Sequence, residues 1–194
     1  MKLVFATNNP NKLSEIKDLV PEGIEILSLK NIGCNEELPE TSSTLEGNAL
    51  QKATYVFDNY GYNCFADDTG LEIDALNGDP GVYSARYAGE ECIAEDNINL
   101  VLQKLKLQTN RIANFRTVIA LIIDGTETLF EGECKGEITE ERSGIEGFGY
   151  DPIFLPNGFE KTFAEMKQNE KGLISHRGKA VEKLVELLYR CSIY

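Results

Sequence analysis

Strand-like and helix-like apolar patterns interleave along this chain from one end to the other. That order points to an α/β fold built on a mixed sheet flanked by helices. Residues 2–6 read as a first strand. A polar turn then leads into a helix running to about residue 20, with Asn9 as N-cap, Pro10 at the first helical position and Leu13, Ile16, Leu19 and Val20 on one face. Residues 24–28 read as a second strand and 38–43 as a polar connection. The next helix spans about 44–60, buries Leu45, Ala49, Ala53, Val56, Phe57 and Tyr60, and stops at Gly61. Short strands at 64–66 and 71–75 bracket an acidic pair, and 78–81 reads as a loop. A helix over about 96–105 precedes a strand pair, 113–123 and 127–137, joined at Asp124-Gly125. A glycine-rich loop, 144–156, leads toward a last helix over about 179–190 that carries Val181, Leu184, Val185 and Leu188. With no linker, repeat or low-complexity tract, residues 1–194 are expected to form one domain.

Charge and cysteine usage exclude several functions. A net charge of −13 opposes a nucleic-acid surface, which needs a basic patch. The apolar run Leu3-Val4-Phe5-Ala6 is too short for a signal peptide or a membrane span, so no membrane association is expected. Cysteines 34, 64, 92, 134 and 191 are odd in number, scattered and free of any Cys-x-x-Cys pair. They read as free thiols in a reducing cytoplasm, with neither a disulfide framework nor a zinc site.

Five constellations could carry chemistry, and each has a plain structural alternative. In Phe65-Ala66-Asp67-Asp68-Thr69-Gly70-Leu71, two adjacent carboxylates follow an apolar run. Neighbouring strand residues point to opposite faces, so only one carboxylate can aim at a given site. Such a pair can hold Mg²⁺ against a phosphorylated substrate, or it can form an Asx-turn. Thr7-x-Asn9-x-x-Lys12 sits where a strand hands over to a helix. There, backbone N–H groups and an ammonium would favour an anion, unless Asn9 merely caps the helix and Lys12 faces solvent. Asn48-x-x-x-Lys52 puts an amide and an ammonium on one helical face, where they could meet a triphosphate or simply be solvated.

Ser43-x-x-Glu46 matches a capping box, which explains Glu46 structurally and leaves Glu40, in the preceding loop, as the better second carboxylate for a metal. Phe148-Gly149-Tyr150-Asp151 combines aromatic rings with a carboxylate and could stack and read a base, or anchor a loop to the core. Ser175-His176-Arg177 precedes the last helix, with Lys171 nearby; it suits recognition of carbonyl oxygens, although a lone histidine is often structural. No Ser-His-Asp triad, Walker loop or Rossmann fingerprint is present.

Taken in order, these segments resemble the inosine triphosphate pyrophosphatase family, the noncanonical purine nucleoside triphosphate pyrophosphatases. The resemblance runs through Ala6-Thr7-Asn8-Asn9-Pro10-Asn11-Lys12, Leu38-Pro39-Glu40 and Glu46-Gly47-Asn48-Ala49-Leu50-Gln51-Lys52-Ala53. It continues through Ala66-Asp67-Asp68-Thr69-Gly70-Leu71 and Pro80-Gly81-Val82-Tyr83-Ser84-Ala85-Arg86-Tyr87. Gly147-Phe148-Gly149-Tyr150-Asp151-Pro152 and Ser175-His176-Arg177-Gly178-Lys179-Ala180 complete it. Thr69 stands where many bacterial members carry serine, and the hydroxyl is kept.

The resemblance implies an elongated mixed sheet flanked by helices, two lobes with a central cleft, and a cytoplasmic homodimer. The implied activity is Mg²⁺-dependent hydrolysis of ITP, dITP and XTP to the monophosphate and pyrophosphate, a house-cleaning step that keeps deaminated purines out of DNA and RNA. It assigns Glu40 and Asp68 to the metal, Asp68 to proton acceptance, and Lys12 and Lys52 to the phosphates, with Asp67 in support. Thr7, Asn8, Asn9, Pro10, Asn11 and Thr69 complete the phosphate side. Phe148, Gly149, Tyr150, Asp151, Lys171, His176 and Arg177 form the purine side. Two other readings remain: a sister pyrophosphatase acting on dTTP or UTP, and a nucleotide sensor that binds without cleaving.

Overall fold

The computed structural model describes residues 1–192, with side chains to residue 190. Its strands are β1 (Lys2–Phe5), β2 (Glu25–Leu27), β3 (Cys64–Ile73), β4 (Pro80–Gly81), β5 (Ile112–Ile123), β6 (Thr126–Ile138) and β7 (Phe154–Pro156). Its α-helices are α1 (Pro10–Leu19), α2 (Leu45–Tyr60), α3 (Ala94–Lys104), α4 (Gln168–Ile174) and α5 (His176–Ser192). The strands form one mixed sheet in the order β2-β1-β3-β5-β6-β7, with β4 paired to β3. β1 runs parallel to β2 and β3, while β4 on β3 and β7 on β6 are antiparallel.

The chain divides into two compact units. The first holds Met1–Asp68, Thr117–Gly132 and the chain from Arg177 on; the second holds Thr69–Arg116 and Glu133–His176. In the first unit, Leu3, Phe5, Phe65, Ile119 and Leu121 of the strands pack with Ile16 of α1 and Val181, Leu184 and Leu188 of α5. Phe5 and Phe65 stack with ring centroids 4.7 Å apart. The core of the second unit joins Leu71 and Ile73 of β3, Ile98 and Val101 of α3, and Phe115, Phe154 and Phe163.

Local chemistry explains the element ends. The side chain of Asn9 accepts hydrogen bonds from the N–H groups of Asn11 and Lys12, and Pro10 opens α1 without needing a donor. Gly61 closes α2 in a left-handed conformation with φ 70°. Asp124 (φ 49°) and Gly125 (φ 79°) supply the left-handed pair that a two-residue turn between β5 and β6 requires.

Four expectations need correction. The expected short strands at 64–66 and 71–75 are one ten-residue strand, β3, which carries the acidic pair through its middle. α2 is capped by Thr44, whose Oγ1 accepts from Gly47 N–H at 3.1 Å, and not by Ser43. The last helix begins at His176, so Arg177 lies in its first turn. The stretch before it also contains an unforeseen helix, α4, which carries Lys171. Among the cysteines, Cys34, Cys64 and Cys134 are buried and Cys92 is exposed; the side chain of Cys191 lies outside the described residues. Burial pushes the Cys64 thiol up to about 12.

Candidate functional site

In the first unit, three helices converge on Asp67 and Asp68 of β3. The alternation of β3 sends the two carboxylates to different partners. Asp67, fully buried, takes Lys12 Nζ of α1 at 3.1 Å on one oxygen and Arg177 Nε of α5 at 3.1 Å on the other. Arg177 also pairs with Glu15 of α1. Asp68 takes Lys52 Nζ of α2 at 3.5 Å and the Asn48 side-chain amide at 3.1 Å. Lys52 further donates to the Asp67 carbonyl at 2.8 Å and pairs with Glu40.

These environments separate two adjacent carboxyl groups. Burial alone would raise Asp67, but Lys12, Arg177 and Lys52 outweigh it and hold that carboxyl well below the usual range. For Asp68 burial prevails, with Glu40 adding to it against Lys52, Lys12 and Asn48, and its carboxyl is raised. Burial pulls the Lys12 ammonium down more than Asp67 can restore. Lys52 suffers the same burial, yet Asp68, Glu40 and Asp67 together push it above its ordinary value. Asp67 is thus a permanent counter-ion, whereas Asp68 is the member closer to exchanging a proton.

Lys52 supplies a test of metal fit. Its ammonium is held by Glu40 and Asp68, so those two carboxylates already converge on a single positive charge. Hard carboxylate oxygens suit Mg²⁺, which is commonly held by one or two carboxylates plus substrate phosphates. No cluster of three or more His, Cys, Asp or Glu side chains able to hold a metal occurs among the described residues. Glu40 and Asp68 fit a cation whose remaining ligands come with the substrate.

The turn before α1 is arranged around its cap. Asn9 already occupies the N–H groups of Asn11 and Lys12, at 2.9 and 3.3 Å, and Thr7 Oγ1 accepts from Asn9 N–H at 3.2 Å. Asn8 reaches the loop ahead of Glu40, donating to the Glu36 carbonyl at 3.2 Å and accepting from Leu38 N–H at 3.3 Å. Asn9 therefore caps the helix, as the plain alternative has it, but Lys12 is turned inward onto Asp67.

The second unit brings the other group together. Asp151 Oδ2 accepts from Phe148 N–H at 2.8 Å and from Lys171 Nζ at 2.7 Å. The Lys171 ammonium lies 5.1 Å from the Phe148 ring centroid and 5.5 Å from that of Phe163. Phe148 is half-buried. Gly147 makes this seat: with φ 75° it is left-handed, and a Cβ there would lie 2.0 Å from Asp151 Oδ2. Tyr150 is committed elsewhere, donating its hydroxyl to the Ser84 carbonyl at 2.8 Å from a buried position. His176 is buried and stacked on Phe115 with ring centroids 4.5 Å apart. Gly149 is left-handed with φ 59°, and Thr69 follows Asp68 on β3.

Glu15, Asn48, Phe115 and Phe163 also belong to these groups. Only Asn48 left a trace in the sequence: it and Lys52 share the stripe of α2 that buries Leu45, Ala49, Ala53 and Val56. Polar residues on a buried stripe need buried partners.

Residues 3–187 match the family model described as the Ham1 family. A protein of Christiangramia forsetii named dITP/XTP pyrophosphatase is 61% identical, over 97% of this chain and 99% of its own. One of the same name from Flavobacterium johnsoniae is 59% identical over 97% and 98%. The solved structure of a HAM1 protein from Coxiella burnetii superposes with a TM-score of 0.90 at 37% identity, covering 98% of this chain and 99% of that one.

Proposed function

This chain belongs to the Ham1 family, and from that premise we propose the roles its residues take. The chain is a hydrolase of noncanonical purine nucleoside triphosphates. Water attacks the α-phosphorus, the bond between α-phosphorus and bridging oxygen breaks, and pyrophosphate leaves.

The convergence of Glu40 and Asp68 on the Lys52 ammonium carries this reading. The group around Asp67 and Asp68 contains the cations Lys12, Lys52 and Arg177 but also the carboxylates Glu15, Glu40, Asp67 and Asp68. Its positive charge is already matched, so a triphosphate needs added positive charge to bind there. We assign that to Mg²⁺ on Glu40 and Asp68, where it would neutralise phosphate charge. Lys12 and Lys52 donate to phosphate oxygens, supported by residues 7–11 and Thr69. Arg177, expected on the purine side, instead has its guanidinium on Asp67 and Glu15 and supports the substrate set from there. Asp68, on the family resemblance, also accepts the proton of the attacking water.

On the purine side, Phe148 stacks on the base. Lys171, oriented by Asp151, presents donors, with His176, Gly149 and Tyr150 shaping the loop and core behind. Donors pair with the 6-oxo group of hypoxanthine or xanthine and are left unpaired against the 6-amino group of adenine, a mismatch that discriminates strongly. The cytoplasmic location and homodimeric state follow the family resemblance.

Pyrophosphate release from ITP, XTP, GTP, ATP and dTTP, with and without Mg²⁺, tests the reading. Metal-dependent cleavage of ITP and XTP that largely spares ATP and GTP is expected. Cleavage of dTTP would indicate the sister activity, and tight ITP binding without turnover would indicate a sensor.

A further inference from the structure

We propose that Asn48 is a positioning residue that joins the two cation-holding carboxylates, Glu40 and Asp68, into one assembly. The inference rests on the reading of those carboxylates given above.

Asn48 is 1% exposed, which is unusual for an uncharged amide unless its hydrogen bonds are met. Its Oδ1 accepts from Ser42 N–H at 2.8 Å, and its Nδ2 donates to Asp68 Oδ2 at 3.1 Å. The chemistry of the partners fixes the orientation of the amide. A backbone N–H only donates and an ionised carboxylate only accepts, so oxygen must face Ser42 and nitrogen must face Asp68. An aspartate can fill the first role but not the second, and alanine can fill neither.

Ser42 lies two residues beyond Glu40, in a segment with no helix or strand of its own. α2 holds that segment residue by residue. Lys52 pairs with Glu40, Gln51 Oε1 accepts from Thr41 N–H at 2.9 Å, and Asn48 accepts from Ser42 N–H. Positions 48, 51 and 52 share one helical face, so a single turn of α2 acts as a splint along three consecutive loop residues. The flexible Lys52 stem could follow Glu40 into many positions. The two amides restrict the loop to one, and of these two it is Asn48 that also reaches Asp68.

Removal of a residue that orients metal ligands typically costs roughly 10–100-fold in metal affinity or activity. Three measurements test the role: hydrogen exchange at the Ser42 amide, Mn²⁺ binding in the presence of a nonhydrolysable ITP analogue, and kcat for ITP. Asn48→Ala is expected to speed Ser42 exchange, to weaken Mn²⁺ binding roughly 10–100-fold and to lower kcat by a similar factor. Asn48→Asp, which is isosteric and keeps the test alive if the alanine variant does not fold, is expected to keep Ser42 protected while kcat still falls at least about tenfold. Wild-type Ser42 exchange in the alanine variant, or wild-type kcat in the aspartate variant, overturns the proposal. Glu40→Gln separates the two layers of the argument. If that variant binds Mn²⁺ as wild type does, the metal reading itself fails. If it binds Mn²⁺ weakly while both Asn48 variants behave as wild type, only the role of Asn48 fails.

Discussion

Replacing Asp67 with asparagine should cost stability, because two buried cations lose the carboxylate they share. Asp67→Asn keeps the shape of the side chain, so no cavity forms and the measured effect is that of the charge. Asp67 lies 3.1 Å from the nitrogens of both Lys12 and Arg177. At an effective dielectric constant of about 20, each contact amounts to about 5 kcal/mol of attraction. Taking the carboxylate out of water offsets several kcal/mol of that total. Removing it leaves two buried cations facing a neutral amide, a situation that typically costs about 3–5 kcal/mol. For a chain of this length that is roughly 6–20 °C in Tm, at about 2–4 °C per kcal/mol.

The sign of the pH dependence follows from the depressed Asp67 carboxyl. Its stabilisation is fully present above the unfolded value of about 4 and declines as pH falls toward the folded one. Urea and thermal unfolding of wild type and Asp67→Asn at pH 7 should therefore show the full gap, which narrows below about pH 4. Adding Lys12→Met to Asp67→Asn should recover part of the loss, because one orphaned cation is then gone. A single variant within about 1 kcal/mol of wild type at pH 7 would refute the counter-ion assignment.

Three further outcomes are expected. Asp68→Asn should lower pyrophosphate release about 10²–10⁴-fold; near-normal turnover would remove Asp68 from the reaction. Phe148→Ala should raise KM for ITP by the equivalent of roughly 1–3 kcal/mol of lost stacking with the fold intact, and an unchanged KM would move the base elsewhere. Gly70→Ala would place a Cβ 2.7 Å from the Gly81 carbonyl oxygen, so calorimetry should show a loss of roughly 1–3 kcal/mol; wild-type stability would mean that β3 and β4 can part at little cost.

Elements whose signals are local were legible in the sequence. Asn9 and Pro10 announced α1, Gly61 ended α2, and Asp124-Gly125 marked the turn between β5 and β6. β3 misled because Asp, Thr and Gly are turn formers when read alone. Here they remain extended because α1, α2 and α5 bring Lys12, Lys52, Asn48 and Arg177 to the two carboxylates. The pairing of Glu15 with Arg177 spans most of the chain and has no local signature. α4 is short and polar, with neither the length nor the stripe that periodicity detects. The residues proposed for metal and phosphate stand in order in the sequence, but which aspartate is the counter-ion depends on partners far away in sequence.

That dependence gives β3 the character of a ruler. Its zero mark is set from both ends: Cys64 and Phe65 pair with Val4 and Phe5, while Leu71 pairs with Gly81 and its N–H is held by Ser84 Oγ at 2.9 Å. A one-residue slip would bring Asp68 to Lys12 and Arg177 and leave Thr69 facing Asn48 and Lys52, or in the other direction bring Asp67 to Asn48 and Lys52 and leave Ala66 facing Lys12 and Arg177. Either way one of the two carboxylate positions would lose its charge. Pro80-Gly81 and Ser84, which touch neither aspartate, therefore safeguard the chemistry as an alignment stop. Between Phe65 and Gly70, inserting or deleting one residue should be far more damaging than most substitutions there, because it miscounts the ruler.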